Sequence, residues 1–171
     1  TDVTIYSEGS IVHTAVLALG GNHLTHDIAI GLGAPLREAE EIKHKYGLAM
    51  ASMVEEDEMI DVPSVGGRNN RTMQKKVLAS IIEDRFREIF ELIAHEIEKT
   101  HFHTLMASGV VITGGSCIMP GADLLASQVL NLPVRVGYPE NISGLREMIY
   151  SPKYATSVGL VRYGITSNQG K

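Results

Sequence analysis

In this chain of 171 residues three groups stand out for what their side chains or bare backbone can bind. The sharpest is Ile112-Thr113-Gly114-Gly115-Ser116. A short apolar strand over Val110–Thr113 runs directly into paired glycines. Bare backbone at that point lets a ligand approach closely, and a following helix offers N–H groups to it. The same residues also suit a tight strand-to-helix turn with no ligand. No Lys-Ser/Thr pair follows, so this is not a Walker A loop. The second group is Glu40 and Lys43, which share a face on a predicted helix and could bind a polar ligand together. As an exposed ion pair alone they would contribute about 0.2–1 kcal/mol. The third is Arg85 with Glu88, on the border of an apolar helical stripe. An Arg there can lay its stem on apolar surface and offer its guanidinium to a peptide carboxylate, or stay a solvated partner of Glu88.

Other candidates carry less. His23-x-x-His26-Asp27 and His101-x-His103 have no third ligand at a diagnostic zinc spacing. Cys117 lacks an evident His partner and reads as a small packing residue. Asp2 becomes a candidate carboxylate only if a phosphate-binding hairpin precedes it.

The elements that must position these residues follow from periodicity. Val3–Tyr6 and Ile11–Leu19 read as a β-hairpin around Gly9. Asn22 is the expected cap of a helix carrying Leu24, Ile28 and Leu32, which ends at Gly33. Pro35 opens a second helix that runs to about Tyr46. Leu48–Val54 and Met59–Val65 are expected as two strands around the acidic turn Glu55–Glu58, followed by a loop over 66–70. From about Gln74 to Thr100, Leu78, Ile82, Phe86, Ile89, Ile93 and Ile97 recur on one helical face, with Glu83 and Arg87 paired on the wet side. Helices are expected from Pro120-Gly121 to Leu130 and over Tyr154–Tyr163, with a strand at Pro133–Val136. The order is that of an α/β domain with an inserted lobe.

Composition narrows the class. The chain is 44% hydrophobic and 20% charged, ordinary for a globular domain. Its formal net charge of −5 argues against a nucleic-acid backbone as partner. A single cysteine excludes a disulfide framework and any multi-cysteine zinc site. No apolar stretch is long enough to span a bilayer, no signal peptide is visible, and the chain begins without Met. We read it as an excised piece of a longer cytoplasmic protein, soluble and without a lipid-binding face.

Together these pieces resemble the second half of an actin-like ATPase, and within that superfamily the bacterial FtsA cell-division family. Thr1-Asp2 and the hairpin resemble the end of a phosphate-2 motif, and Glu40-x-x-Lys43 an adenosine-contacting helix. Gly114-Gly115-Ser116-Cys117-Ile118-Met119-Pro120-Gly121 resembles the adenosine motif. These are shared across the superfamily. Val62-Pro63-Ser64-Val65-Gly66-Gly67-Arg68, Ile81-Ile82-Glu83-Asp84-Arg85 and Tyr154–Gly164 resemble FtsA itself. Asp84 stands where the family pattern has Pro, and is expected to cap a helix in its place.

The resemblance implies an actin-like (ribonuclease H-like) subdomain IIA from residues 1–46 and 109–169, with an inserted α+β subdomain IIB over 47–108. It implies that in the intact protein ATP with Mg²⁺ is bound, with Gly114, Gly115, Ser116, Ile118 and Met119 on one side of the adenosine and Glu40 and Lys43 on the other. It implies no metal ligand and no catalytic residue in this piece, at most weak ATPase activity in the whole, and no ATP turnover here. Subdomain IIB is expected to dock the C-terminal tail peptide of FtsZ through Arg71, Arg85 and Glu88. Arg85→Glu is then expected to weaken the tail by about tenfold or more with thermal stability nearly unchanged. Further implied are other divisome partners, self-association into filaments, and membrane attachment only through a C-terminal helix outside this sequence. The place of action would be the inner face of the membrane at the division septum. Half of a sugar- or acetate-kinase-type phosphotransferase on the same superfamily fold is the alternative.

Overall fold

The computed structural model describes residues 1–63, 70–100, 108–141 and 146–168. Ser64 to Asn69, which include most of one FtsA-like motif, and His101 and His103 lie outside them.

β1 (Asp2–Ser7) and β2 (Ser10–Val16) form an antiparallel hairpin. Its two-residue turn has Glu8 and Gly9 both at positive φ, the backbone twist that suits tight hairpins. α1 (Gly21–Leu32) begins one residue before Asn22. Gly20, not Asn22, is at its cap, and no side chain caps the first-turn N–H groups; the Gly20 N–H itself donates to His23 Nδ1 at 3.3 Å, the half of a capping box that Glu or Gln usually supplies. Gly33 closes α1 in the left-handed conformation. α2 spans Leu36–Tyr46 after Pro35.

The segment after α2 departs from expectation. No strand forms over Leu48–Val54. Ala51–Met53 is instead one turn of 3₁₀ helix. The Ala51 N–H donates to Glu83 Oε2 at 2.8 Å and the Ala49 N–H to Pro120 O at 2.9 Å, so tertiary acceptors replace a ladder. β3 (Met59–Val62) pairs antiparallel with β4 (Arg71–Gln74), Val62 opposite Arg71. α3 (Lys75–Glu98) runs through Asp84 without a break, so Asp84 caps nothing. β5 (Val110–Ile112) pairs parallel with β6 (Val134–Val136), the connection between them carrying α4 (Ala122–Leu130). The short α5 (Arg146–Ile149) precedes α6 (Ala155–Asn168).

α3 is the spine. Leu78, Ile82, Phe86, Ile89 and Ile97 of the expected stripe are buried, with Ala79 and Phe90 beside them, while Ile93 packs at the edge. This face meets α1 and α4, and α1 in turn meets α2. One core therefore joins Leu24, Ile28 and Leu32 of α1, Ile60 and Val62 of β3, and Leu125 of α4.

Candidate functional site

α1 buries Leu24, Thr25, Ile28 and Leu32 along one stripe. Thr25 is the polar member, only 5% exposed, and must find partners. Its hydroxyl donates to Glu40 Oε2 and accepts from Lys43 Nζ at 2.8 Å. Lys43 Nζ also reaches Glu40 Oε2 at 2.7 Å and the Gly21 carbonyl at 3.2 Å. All three donors of the ammonium are thus aimed at protein acceptors. The Lys43 side chain is 10% exposed and that of Glu40 41%, so the lysine faces inward and the carboxylate outward. His44 Nε2 lies 3.0 Å from Glu40 Oε1.

Burial would raise the Glu40 pKa, but hydrogen bonds from Lys43 and Thr25 and the charges of Lys43 and His44 outweigh it and hold the carboxyl below its ordinary value. A carboxyl lowered on folding stabilises the fold fully above its unfolded pKa and loses that contribution as pH falls through the folded value. The melting-temperature gap between wild type and Glu40→Gln should therefore be present at about pH 5.5 and narrow as pH falls below about pH 4. Thermal melts across that range check this; a gap that widens in acid would contradict it.

The glycine turn lies against the same elements. Gly114 takes φ +104° and ψ 171°, which side-chain-bearing residues avoid, and no heavy atom lies within 4 Å of where a Cβ would project. At Gly115 the nearest atom to that position is Lys153 Cβ at 3.8 Å. Both glycines thus present open backbone. A four-residue 3₁₀ turn over Gly115–Ile118 follows them, and α4 starts only at Ala122. Ser116 Oγ sits 2.6 Å from the place a Cβ on Gly21 would occupy, and Met119 Cε 2.8 Å from that of Gly47. The turn is therefore seated on the start of α1 and the end of α2. Lys43, which holds Glu40, and Ser116 thus both lie against Gly21, and Met119 lies beside Gly47 at the end of α2; Gly114 and Gly115 adjoin Ser116 in the chain, and Ile118 is exposed. Cys117 points back to the Thr113 carbonyl at 3.1 Å, and burial pushes its thiol pKa to about 11, so it is protonated at neutral pH and packs rather than attacks.

Arg85 belongs to a different constellation. Its Nε and Nη2 meet both oxygens of Asp27, at 2.5 and 3.0 Å, and its Nη1 meets Glu88. The Asp27 hydrogen bonds are the leading cause that raises the guanidinium pKa. Asp27, Ile81, Asp84, Arg85 and Glu88 line a shallow open pocket of about 280 Å³. Arg71 lies over the other end of α1, with Nη2 3.2 Å from the Cβ position of Gly33, where the negative end of the helix dipole favours a cation. Asp27 and Gly33 are separated by about 9 Å along the helix axis, so Arg71 and Arg85 are posted along one helix.

Asp27 was visible in the sequence only beside His23 and His26, and its pairing with Arg85 was missed. Its signal was Gly31, one turn further along α1, where a Cβ would come within 2.5 Å of Ile81 Cδ1. That glycine marks the side on which α3 approaches closely, and Asp27 shares it. Arg85→Glu would set a carboxylate against Asp27 and Glu88 and break a contact between helices, so thermal stability cannot stay unchanged. Thr25 was also missed, though a polar residue within an apolar stripe was visible. Of the two histidines weighed and set aside as metal ligands on α1, His23 Nδ1 accepts the Gly20 N–H and His26 Nδ1 lies 2.7 Å from Asn22 O.

Comparison with known proteins identifies the company this chain keeps. The family model for cell division protein FtsA matches residues 1–159. The chain is 41% identical over 165 residues to FtsA of Pseudomonas aeruginosa, covering 96% of this chain and 40% of that protein. It is 40% identical over 174 residues to FtsA of Escherichia coli K12, covering 98% and 41%. The chain thus spans about two fifths of the length of the curated relatives it matches. Among solved structures it superposes on MreB5 of Spiroplasma citri bound to ADP, with TM-score 0.74, 16% identity and coverage of 99% of this chain and 51% of that one. The AMPPNP-bound form gives TM-score 0.75 at 18% identity, covering 99% of this chain and 50% of that one. At such identities the likeness is one of fold. No described helix is long and apolar enough to cross a membrane.

Proposed function

The chain belongs to the FtsA family of cell-division proteins and has the actin-like α/β fold, and on that premise we propose that the intact protein is an ATP-binding scaffold that tethers FtsZ filaments at the division site. Family membership leaves the phosphotransferase alternative without support. Residues 1–46 and 109–169 are assigned to subdomain IIA and 47–108 to subdomain IIB.

The observation that carries the nucleotide half of this reading is that the Lys43–Glu40 pair and the Gly114–Met119 turn pack on the same places, Gly21 at the start of α1 and Gly47 at the end of α2. Lys43 is fully engaged by Glu40, Thr25 and Gly21, so its role is to aim Glu40. The outward carboxylate of Glu40 accepts hydrogen bonds from ligand hydroxyls such as those of a ribose. The open backbone of Gly114 and Gly115 admits the flat nucleoside, with Ile118 and Met119 against its base. The structural neighbours carrying ADP and AMPPNP support this. Phosphate stabilisation needs further donors and Mg²⁺, which this reading places in the rest of the intact protein, at most a weak ATPase.

The docking half assigns the FtsZ tail peptide to the face of α3 and β4, with Arg85 and Arg71 as anchors and Glu88 beside them. Contacts with other divisome proteins, filament formation, and membrane attachment at the inner face through a C-terminal helix complete the proposal.

Gly115→Val tests the nucleotide half. The added Cβ meets only Lys153 at ordinary contact distance, so the fold tolerates it, but the side chain stands where the nucleoside must approach. In the intact protein it should lower affinity for a fluorescent ATP analogue by about tenfold or more while the melting temperature of the unliganded protein stays close to wild type. Unchanged affinity would move the nucleotide elsewhere.

A further inference from the structure

We propose that Glu88 is an internal stand-in for a partner's carboxylate on Arg85, and that Asp27 is the residue that positions Arg85 to receive it. This rests on the reading of α3 as the docking face. A guanidinium has two edges whose paired N–H groups match a carboxylate. The side edge, Nε and Nη2, is filled by both oxygens of Asp27. The end edge, Nη1 and Nη2, is held through Nη1 by Glu88.

The two carboxylates differ in how firmly they hold. Asp27 comes from another helix, makes two bonds, and its side chain is 26% exposed. Glu88 comes from the next turn of the same helix and is 51% exposed. An exposed i,i+3 pair on a long, flexible side chain is weak and easily exchanged. A two-bond contact between packed helices keeps its geometry. An incoming carboxylate therefore takes the end edge from Glu88, while Asp27 keeps the guanidinium in place. Arg85 is presented without rearrangement of its own side chain, so less ordering cost falls on binding.

The same pocket states what the partner looks like. Ile81 offers it an apolar wall, and Asp84 adds a further negative charge. One carboxylate can replace that of Glu88, but a second would face Asp84 and Asp27. The surface fits a peptide that presents a single acidic side chain beside an apolar one, and it disfavours an acidic run.

Calorimetric titration of the FtsZ C-terminal tail peptide into the intact protein tests this with three variants. Glu88→Gln should bind about fivefold tighter, because the competitor has lost its charge. Asp27→Asn should bind about fivefold weaker, and Arg85→Gln about tenfold weaker. A tail peptide with its acidic residues changed to amides should show no gain with Glu88→Gln. Weaker or unchanged binding by Glu88→Gln would overturn the proposal, since Glu88 would then touch the partner or do nothing. Tighter binding by Asp27→Asn would make Asp27 the competitor, and would also overturn it. If Arg85→Gln binds as wild type, the docking-face reading itself fails. Should Asp27→Asn not fold, the Arg85 Nε–H resonance of wild type decides: it must persist when peptide is added, and its loss would mean that Asp27 had been displaced.

Discussion

Ile82→Ala is expected to lower the stability of this domain by about 2–5 kcal/mol, the range for truncating a fully enclosed aliphatic side chain. Ile82 has no exposed surface and sits in the middle of α3, in the cluster that includes Leu24 and Ile28 of α1 and Leu125 of α4. Removing its outer carbons leaves a cavity bounded by three helices. Collapse into that cavity is resisted, because α1 and α3 are held at a set distance by the Asp27–Arg85 contact and by the close approach at Gly31. The cost should therefore fall in the upper part of that range. Leu92→Ala is the control: it lies on the same helix but is 38% exposed, and should cost far less. Urea unfolding of both variants checks this. Equal losses would mean that the stripe on α3 does not face the core.

Gly109→Ala should be nearly as damaging, by about 3 kcal/mol or more from left-handed backbone strain and steric conflict combined. Gly109 takes φ +78°, and a Cβ there would lie 2.3 Å from the Pro133 carbonyl oxygen. The obstacle is backbone, so no side-chain rotation relieves it. Relief requires the start of β5 to move away from β6, which loosens the Val110 N–H to Pro133 O bond of 2.8 Å. The glycine turn at Gly114 hangs from the other end of this short strand. The exchange should therefore lower the unfolding midpoint and also weaken nucleotide binding in the intact protein. Thermal melts and titration of a fluorescent ATP analogue read the two effects separately. A variant as stable as wild type would show that β5 does not need this backbone conformation.

Much of the architecture was legible because it is written in short-range pattern. The stripe of α3 recurs every three or four residues, and a helix with such a face has to bury it. The hairpin, the stop at Gly33, the start after Pro35 and the strand before Gly114 are also local signals. The Glu40–Lys43 pair was visible as a shared face. The adenosine-like glycine motif and the FtsA-like motifs carried the family, which the comparisons bear out.

Family, fold class and most helices and strands were therefore readable from the residues alone, because a periodic side-chain pattern and a glycine each act on the backbone within a few residues. The rest depended on contacts between segments distant in the chain. Leu48–Val54 is apolar enough for a strand, but Glu83 and Pro120 supply the bonds it needs without a ladder. Whether Lys43 faces a ligand or the protein depended on Thr25 and Gly21, which a different helix brings to it. On its own helix Arg85 had only Glu88 as a visible partner. Its firmest partner, Asp27, is 58 positions away in the chain. A contact at that separation exists only once the core has packed, and no local pattern encodes it.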